Sequence, residues 1–175
     1  MKSILLLFCF LLTLVMSVQA QPQEDKSKRP SPPAEVKGVI DSAEIGIYYS
    51  SPAVKGRIIW DALVPYGKIW RTGANEATIF ETTSDLVIQD QKLPAGKYSL
   101  FTIPGETEWM FVFNEVWDQW GAFKYDAGKD ILRVKVIAEV SPTFNEKMKF
   151  EYIDNHIFLY WENVKVGFPL AIEYN

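Results

Sequence analysis

The chain has 175 residues, with 18 Lys and Arg against 22 Asp and Glu and one histidine, for a net charge of −4. That length suits one domain with a core of its own. The acidic balance argues against a nucleic-acid-binding face and against a polybasic patch for anionic lipid.

The first twenty residues have the layout of a cleaved secretory signal. Lys2 supplies a positive charge, residues 4–16 are apolar except for Thr13, and Val18 and Ala20 stand three and one positions before Gln21. The apolar run falls short of the roughly 20 residues that span a bilayer. Cleavage after Ala20 is expected, giving an exported protein, periplasmic or extracellular, without a stable membrane anchor. Cys9, the only cysteine, follows Leu7 and Phe8 inside the run, which is not where a lipid-bearing cysteine sits. The mature chain then has no disulfide. Without Lys2 the count is 17 basic against 22 acidic, a net −5. Residues 21–34, Q-P-Q-E-D-K-S-K-R-P-S-P-P-A, offer no apolar residue before Ala34 and read as a Pro-rich linker. Residues 35–175 form the domain.

From Val36 onward the apolar residues recur with a period of two. Glu44-Ile-Gly-Ile-Tyr-Tyr49 puts Ile45, Ile47 and Tyr49 on one face. Arg57-Ile-Ile-Trp-Asp-Ala-Leu-Val64 has room for a helical turn or two before Pro65. Short strands follow at 85–89, 96–103 and 109–113, the last two joined across Pro104-Gly105. A long connection, 114–130, carries aromatic residues and glycine. Strands at 131–137 and 147–153 alternate clearly. Asp154-Asn155 suits a two-residue hairpin turn, since both residues tolerate positive φ. Residues 156–161 and 167–174 complete the chain. Nine or ten short strands with turn signals between them specify an all-β, single-domain antiparallel β-sandwich, jelly-roll-like, with at most one short helix.

The motifs Tyr49-Ser-Ser-Pro-Ala-Val-Lys-Gly-Arg57, Leu63-Val-Pro-Tyr-Gly-Lys-Ile-Trp-Arg-Thr-Gly-Ala-Asn-Glu-Ala-Thr78, Leu93-Pro-Ala-Gly-Lys-Tyr-Ser-Leu-Phe-Thr-Ile-Pro104 and Trp120-Gly-Ala-Phe-Lys-Tyr-Asp126 resemble the bacterial domain-of-unknown-function family 2911. The resemblance covers about residues 30–175. It implies an exported bacterial protein and brings no assigned activity or catalytic residues.

The chemistry must come from the residues themselves. Trp70, Arg71, Asn75 and Glu76 crowd into seven positions around Gly73. A planar guanidinium binds carboxylates and vicinal diols bidentately. Asn75 adds a donor and an acceptor, and Glu76 accepts from hydroxyls. Two readings fit equally: a ligand site, or a buried Arg71–Glu76 pair that locks a loop. Trp120 and Tyr125 have faces suited to stacking on sugars, whereas Phe123 reads as core. Lys55 and Arg57 form either an anion clamp or a loop whose cations pair with acids such as Asp61. Asp126 and Asp130 are too few for a calcium site. His156 reads as a surface strand residue, and one histidine without a mature cysteine does not make a zinc site. No cofactor or metal is expected. The function read from these residues is a glycan- or small-polar-ligand-binding or assembly module. A carboxylate-dependent glycan hydrolase using Glu76 with Asp126 or Glu162 is the enzymatic alternative, and a protein partner held without a pocket is the third.

Overall fold

The computed structural model of the protein describes residues 24–173. The expected signal at 1–20, its cleavage point and the end of the last expected strand at Tyr174 lie outside the described residues.

Strand makes up 57% of the described residues, and among them there is no helix of seven or more residues. The expected antiparallel sandwich is what the chain forms. The main sheet has the order β1-β2-β3-β6-β7-β8, from Pro33–Ile40, Ala43–Ser50, Ile79–Thr82, Gly96–Ile103, Glu108–Asn114 and Asp130–Ile137. Its neighbours run in chain order apart from one inserted hairpin, β4 (Leu86–Ile88) and β5 (Gln91–Leu93), which β11 (Ala171–Ile172) extends to three strands. A long hairpin, β9 (Glu139–Ile153) with β10 (His156–Pro169), meets the main sheet at β1 and β8.

The alternation of the strands fixes which face is buried. On β2, Ile45, Ile47 and Tyr49 point inward, and on β8 Leu132, Val134 and Val136 do, while Arg133 and Lys135 stay exposed. They meet Met148 and Phe150 of β9 and Ile157, Leu159 and Trp161 of β10 in one continuous core. Aromatic edges lock it. Phe80 meets Phe113 at 5.2 Å, and Phe111 meets Phe168 at 4.9 Å, both T-shaped, a geometry worth about 0.5–1.5 kcal/mol beyond the area buried.

The turn at Asp154-Asn155 has φ of 49° and 60°, as its hairpin requires. Residues 57–64 form no helix. Val64 donates to the Ile59 carbonyl at 2.9 Å and Asp61 to the Val64 carbonyl at 3.0 Å, closing a wide turn with Asp61 at φ 59°. The linker expected over 21–34 is tied down along its described part. Lys26–Lys28 make a 3-10 turn capped by Asp25, and β1 begins at Pro33.

Candidate functional site

The candidate residues gather at one corner of the main sheet. Trp70 exchanges two backbone hydrogen bonds with Thr102 of β6, at 2.7 and 2.9 Å, in line with β3. The chain then leaves the sheet and returns where Thr78 donates to the Arg71 carbonyl at 3.1 Å. The loop between is strained. Thr72 is fully buried, β-branched and at φ 55°, and Asn75 is at φ 58°. A non-glycine residue held there costs on the order of 1–3 kcal/mol. The Thr72 hydroxyl bonds that of Thr102 at 3.1 Å, and the Thr78 hydroxyl donates to the Thr72 carbonyl at 2.7 Å, which holds the strain in place. Gly73 serves packing here. A Cβ on it would stand 3.1 Å from both the Ser50 carbonyl oxygen and the Thr78 hydroxyl.

The 114–130 connection folds against this loop. Glu76 and Trp120 form an isolated antiparallel bridge, Ala77 donates to the Gln119 carbonyl at 3.0 Å, and Gly121 to the Asn75 carbonyl at 3.1 Å. Beneath lies a small second core of Ala77, Phe101 and Val112, roofed by Ala122 and Tyr125.

The six candidates separate into three roles. Trp70 and Tyr125 are packing residues. The Trp70 ring stacks on Trp161 at 5.8 Å among Trp60 and Trp109, and its Nε1 donates to the Gly73 carbonyl. The Tyr125 ring packs on Phe101 at 5.1 Å, and its hydroxyl donates to Asp130 at 2.7 Å. Burial, then the Asp130 hydrogen bond, pushes that phenol up to about 12. Asn75 and Glu76 are engaged by the preceding segment. The Asn75 amide donates to the Ser31 carbonyl at 3.1 Å, and the Glu76 carboxylate receives Arg29 at 2.8 and 3.0 Å and Lys26 at 2.8 Å. Burial raises the Glu76 carboxyl, but the hydrogen bonds from Lys26, its own backbone and Arg29 outweigh it and bring it to about 2.

Arg71 and Trp120 carry the open chemistry. Arg71 does not pair with Glu76. Its Nε is buried with no hydrogen-bond partner among the described residues, no acid lies beside it, and burial alone lowers its pKa. Its Nη1 comes within 3.7 Å of where a Gly121 Cβ would stand, and the Phe123 ring lies 2.9 Å from the same point. Trp120 keeps 58% of its surface exposed, with Arg29 over its ring at 5.7 Å. Phe123, expected in the core, is 83% exposed, and Trp117 is 43% exposed. The small core below is already filled by Phe101 and Tyr125, which leaves Phe123 outside.

A protein-family profile described as "Protein of unknown function (DUF2911)" matches residues 31–170. The chain belongs to this family. The curated proteins and the solved structures contain no match to it. The matched span begins at Ser31, so Glu24, Lys26 and Arg29, which reach this corner, lie before it.

Arg29 is the residue that sequence reasoning missed. Its side chain is only 10% exposed, grips Glu24 and Glu76, and lies over Trp120. The one hint was a cluster of three cations, Lys26, Lys28 and Arg29, in a segment otherwise read as a spacer. The other motifs resolve locally. Arg57 donates to the carbonyls of Ala53 and Val54 rather than to Asp61, which accepts from the Tyr66 amide. Asp126 caps the 3-10 turn Ala127–Lys129, and Asp130 holds Asn114, Tyr125 and Arg133. Glu162, at φ 54°, sits at a bulge of the β9–β10 hairpin. Among the described residues no group of three or more His, Cys, Asp or Glu is placed to hold a metal ion. His156 opens β10, stacked on Phe158.

Proposed function

We propose that the protein is an exported, periplasmic or extracellular, binding module, and that the corner of residues 71–76 and 116–125 takes a carboxylate-bearing glycan or similar small anionic ligand. The observation that carries this reading is Arg71, a partly buried guanidinium with no counter-charge. A charge withdrawn from water without a partner is costly, and a ligand carboxylate offsets that cost through the paired geometry a guanidinium offers. Trp120 and Phe123, exposed on either side of Gly121, supply apolar faces for the ring that bears the carboxylate. The strained Thr72 fits a loop built for position rather than for stability.

The test is a titration of the protein, recovered after export of the full chain, with the monosaccharides galacturonate and sialic acid, using galactose as the neutral control. Binding of an acidic sugar, lost in Arg71→Met and weakened in Trp120→Ala, supports the reading. Equal response to acidic and neutral sugars, or binding that survives both substitutions, refutes it.

A further inference from the structure

We infer that the outer face of β1–β2–β3 is a second binding site, centred on Gly46 and Tyr48 rather than on Arg71, and that it takes a neutral, hydroxyl-rich chain such as an oligosaccharide laid along β2.

The inference starts from Gly46. Glycine in a strand interior is destabilising by roughly 0.5–1 kcal/mol relative to alanine, and it often marks a bulge or a close approach. Gly46 shows neither bulge nor positive φ. It pairs in regular register with Lys37 of β1 on one side and Glu81 of β3 on the other. What it provides is space on the outer face. The Tyr48 ring leans into that space, with its Cε2 and hydroxyl 2.9 Å from where a Cβ would stand.

The register places the surrounding groups. Lys37 and Glu81 flank Gly46 across the sheet, and Glu44 and Tyr48 flank it along β2. Together with Val39 and Thr83 they line a cavity of about 380 Å³. That lies within the roughly 300–1,000 Å³ of small-molecule sites. Tyr48 also lines two adjoining recesses, one of about 260 Å³ beside Pro33 and Ala34 and one of about 160 Å³ reaching Lys26 and Glu76. One tyrosine therefore joins three hollows along a strand of eight residues, roughly 23 Å long at about 3.3 Å per residue. This is the shape for an oligomer and is longer than a single sugar needs.

The charges select the ligand. Lys37 is paired with Glu35 at 3.1 Å and Glu81 with Lys97 at 3.3 Å. The lining is more apolar than polar, and its few charged groups are acceptor-rich and close to balanced, which favours a neutral ligand with both apolar ring faces and hydroxyl groups over a strongly ionic one. Carboxylates accept from vicinal hydroxyls, and the Tyr48 ring supplies a stacking surface with a polar end.

The experiment titrates the protein, recovered after export of the full chain, with maltohexaose, cellohexaose and chitohexaose, following backbone amides by NMR. At least one hexasaccharide should bind ten-fold or more tightly than its monosaccharide and shift the amides of Lys37, Glu44 to Tyr48 and Glu81 to Thr83. Tyr48→Ala should weaken that binding at least ten-fold. Gly46→Ala, which displaces the end of the Tyr48 side chain and leaves the backbone in place, should weaken it too. If Tyr48→Ala does not fold, Glu44→Gln carries the same test. Arg71→Met should leave this binding unchanged, which separates it from the corner. No binding by any of the three chains, or binding that shifts amides 116–125 and disappears in Arg71→Met, overturns the inference.

Discussion

Replacing Arg71 by methionine should leave the protein as stable as the parent or more so, while removing ligand binding. The expectation follows from what surrounds the side chain. Its Nε is buried and, among the described residues, has no hydrogen-bond partner and no carboxylate beside it. Leaving a buried donor unsatisfied costs about 1–3 kcal/mol, and more for a charged group. Methionine keeps a stem of similar length and removes both donor and charge. The partial exposure of Arg71 lets water recover part of the cost, so the gain should lie near 1 kcal/mol at the lower end of that range. In a chain of this size that is a rise of about 2–4 °C in melting temperature.

Urea and thermal unfolding of parent and variant measure the first half. The second half is the shift in melting temperature on adding the acidic sugar. Saturation at a hundred times the dissociation constant should stabilise the parent by about 2.7 kcal/mol and the variant not at all. A stable variant that no longer responds to ligand is the signature of a residue kept for binding. If Arg71→Met instead loses more than about 1 kcal/mol, the guanidinium is holding the fold together, and the comparison with an unpaired buried donor is wrong.

Three further outcomes are expected. Glu76 has a folded-state pKa near 2 against an ordinary 4.5, so its contribution is fully present above about pH 4.5 and is lost as pH falls toward 2. With its side chain 35% exposed, solvent screening reduces the contribution to about 1 kcal/mol, and Glu76→Gln should flatten the acid limb of the stability curve between those pH values. Gly167→Ala should cost about 1–3 kcal/mol by urea unfolding, because its Cβ would collide with the Ile157 carbonyl oxygen and the Phe158 ring. Intact mass of exported protein should place the N-terminus at Gln21; retention of residues 1–20 or lipid on Cys9 would refute cleavage after Ala20.

The strands that could be read from the sequence are those whose alternation is strict. β6 begins and ends at the expected residues, and β7 and β8 differ only at their ends. β3 escaped notice because Ile79-Phe-Glu-Thr82 has only one inward ring, Phe80, and follows a loop directly. The β4–β5 hairpin turns at Gln89-Asp90, both at positive φ, without the glycine or asparagine that advertises such turns. β10 runs through Glu162 because a bulge absorbs the irregularity that looked like a strand end. In the candidate site, adjacency in sequence was a poor guide to facing. Trp70 and Arg71 are neighbours that point to opposite sides of the sheet, one into the tryptophan cluster and one toward Gly121. Glu76 found its partner 47 residues away in Arg29, a pairing that no local pattern encodes.

Several kinds of departure from ordinary folding rules meet at the corner. A buried β-branched residue in the left-handed region, a buried guanidinium donor without a partner and three exposed large aromatics all belong to residues 71–76 and 116–125. The same corner also holds an unpaired amide oxygen, on Gln119. β2, β3 and β6 beside it pair in unbroken register over a filled core. When departures of different kinds meet in one place, they are a mark expected of a site. The preceding segment strengthens the case. A purely structural strap would pair its cation with an acid and stop there. Arg29 also lies over the Trp120 ring, and a carboxylate beside an aromatic face is an arrangement suited to a guanidinium. On the proposed reading the corner offers two guanidinium groups for recognition, Arg29 over the Trp120 ring and Arg71 beside Gly121.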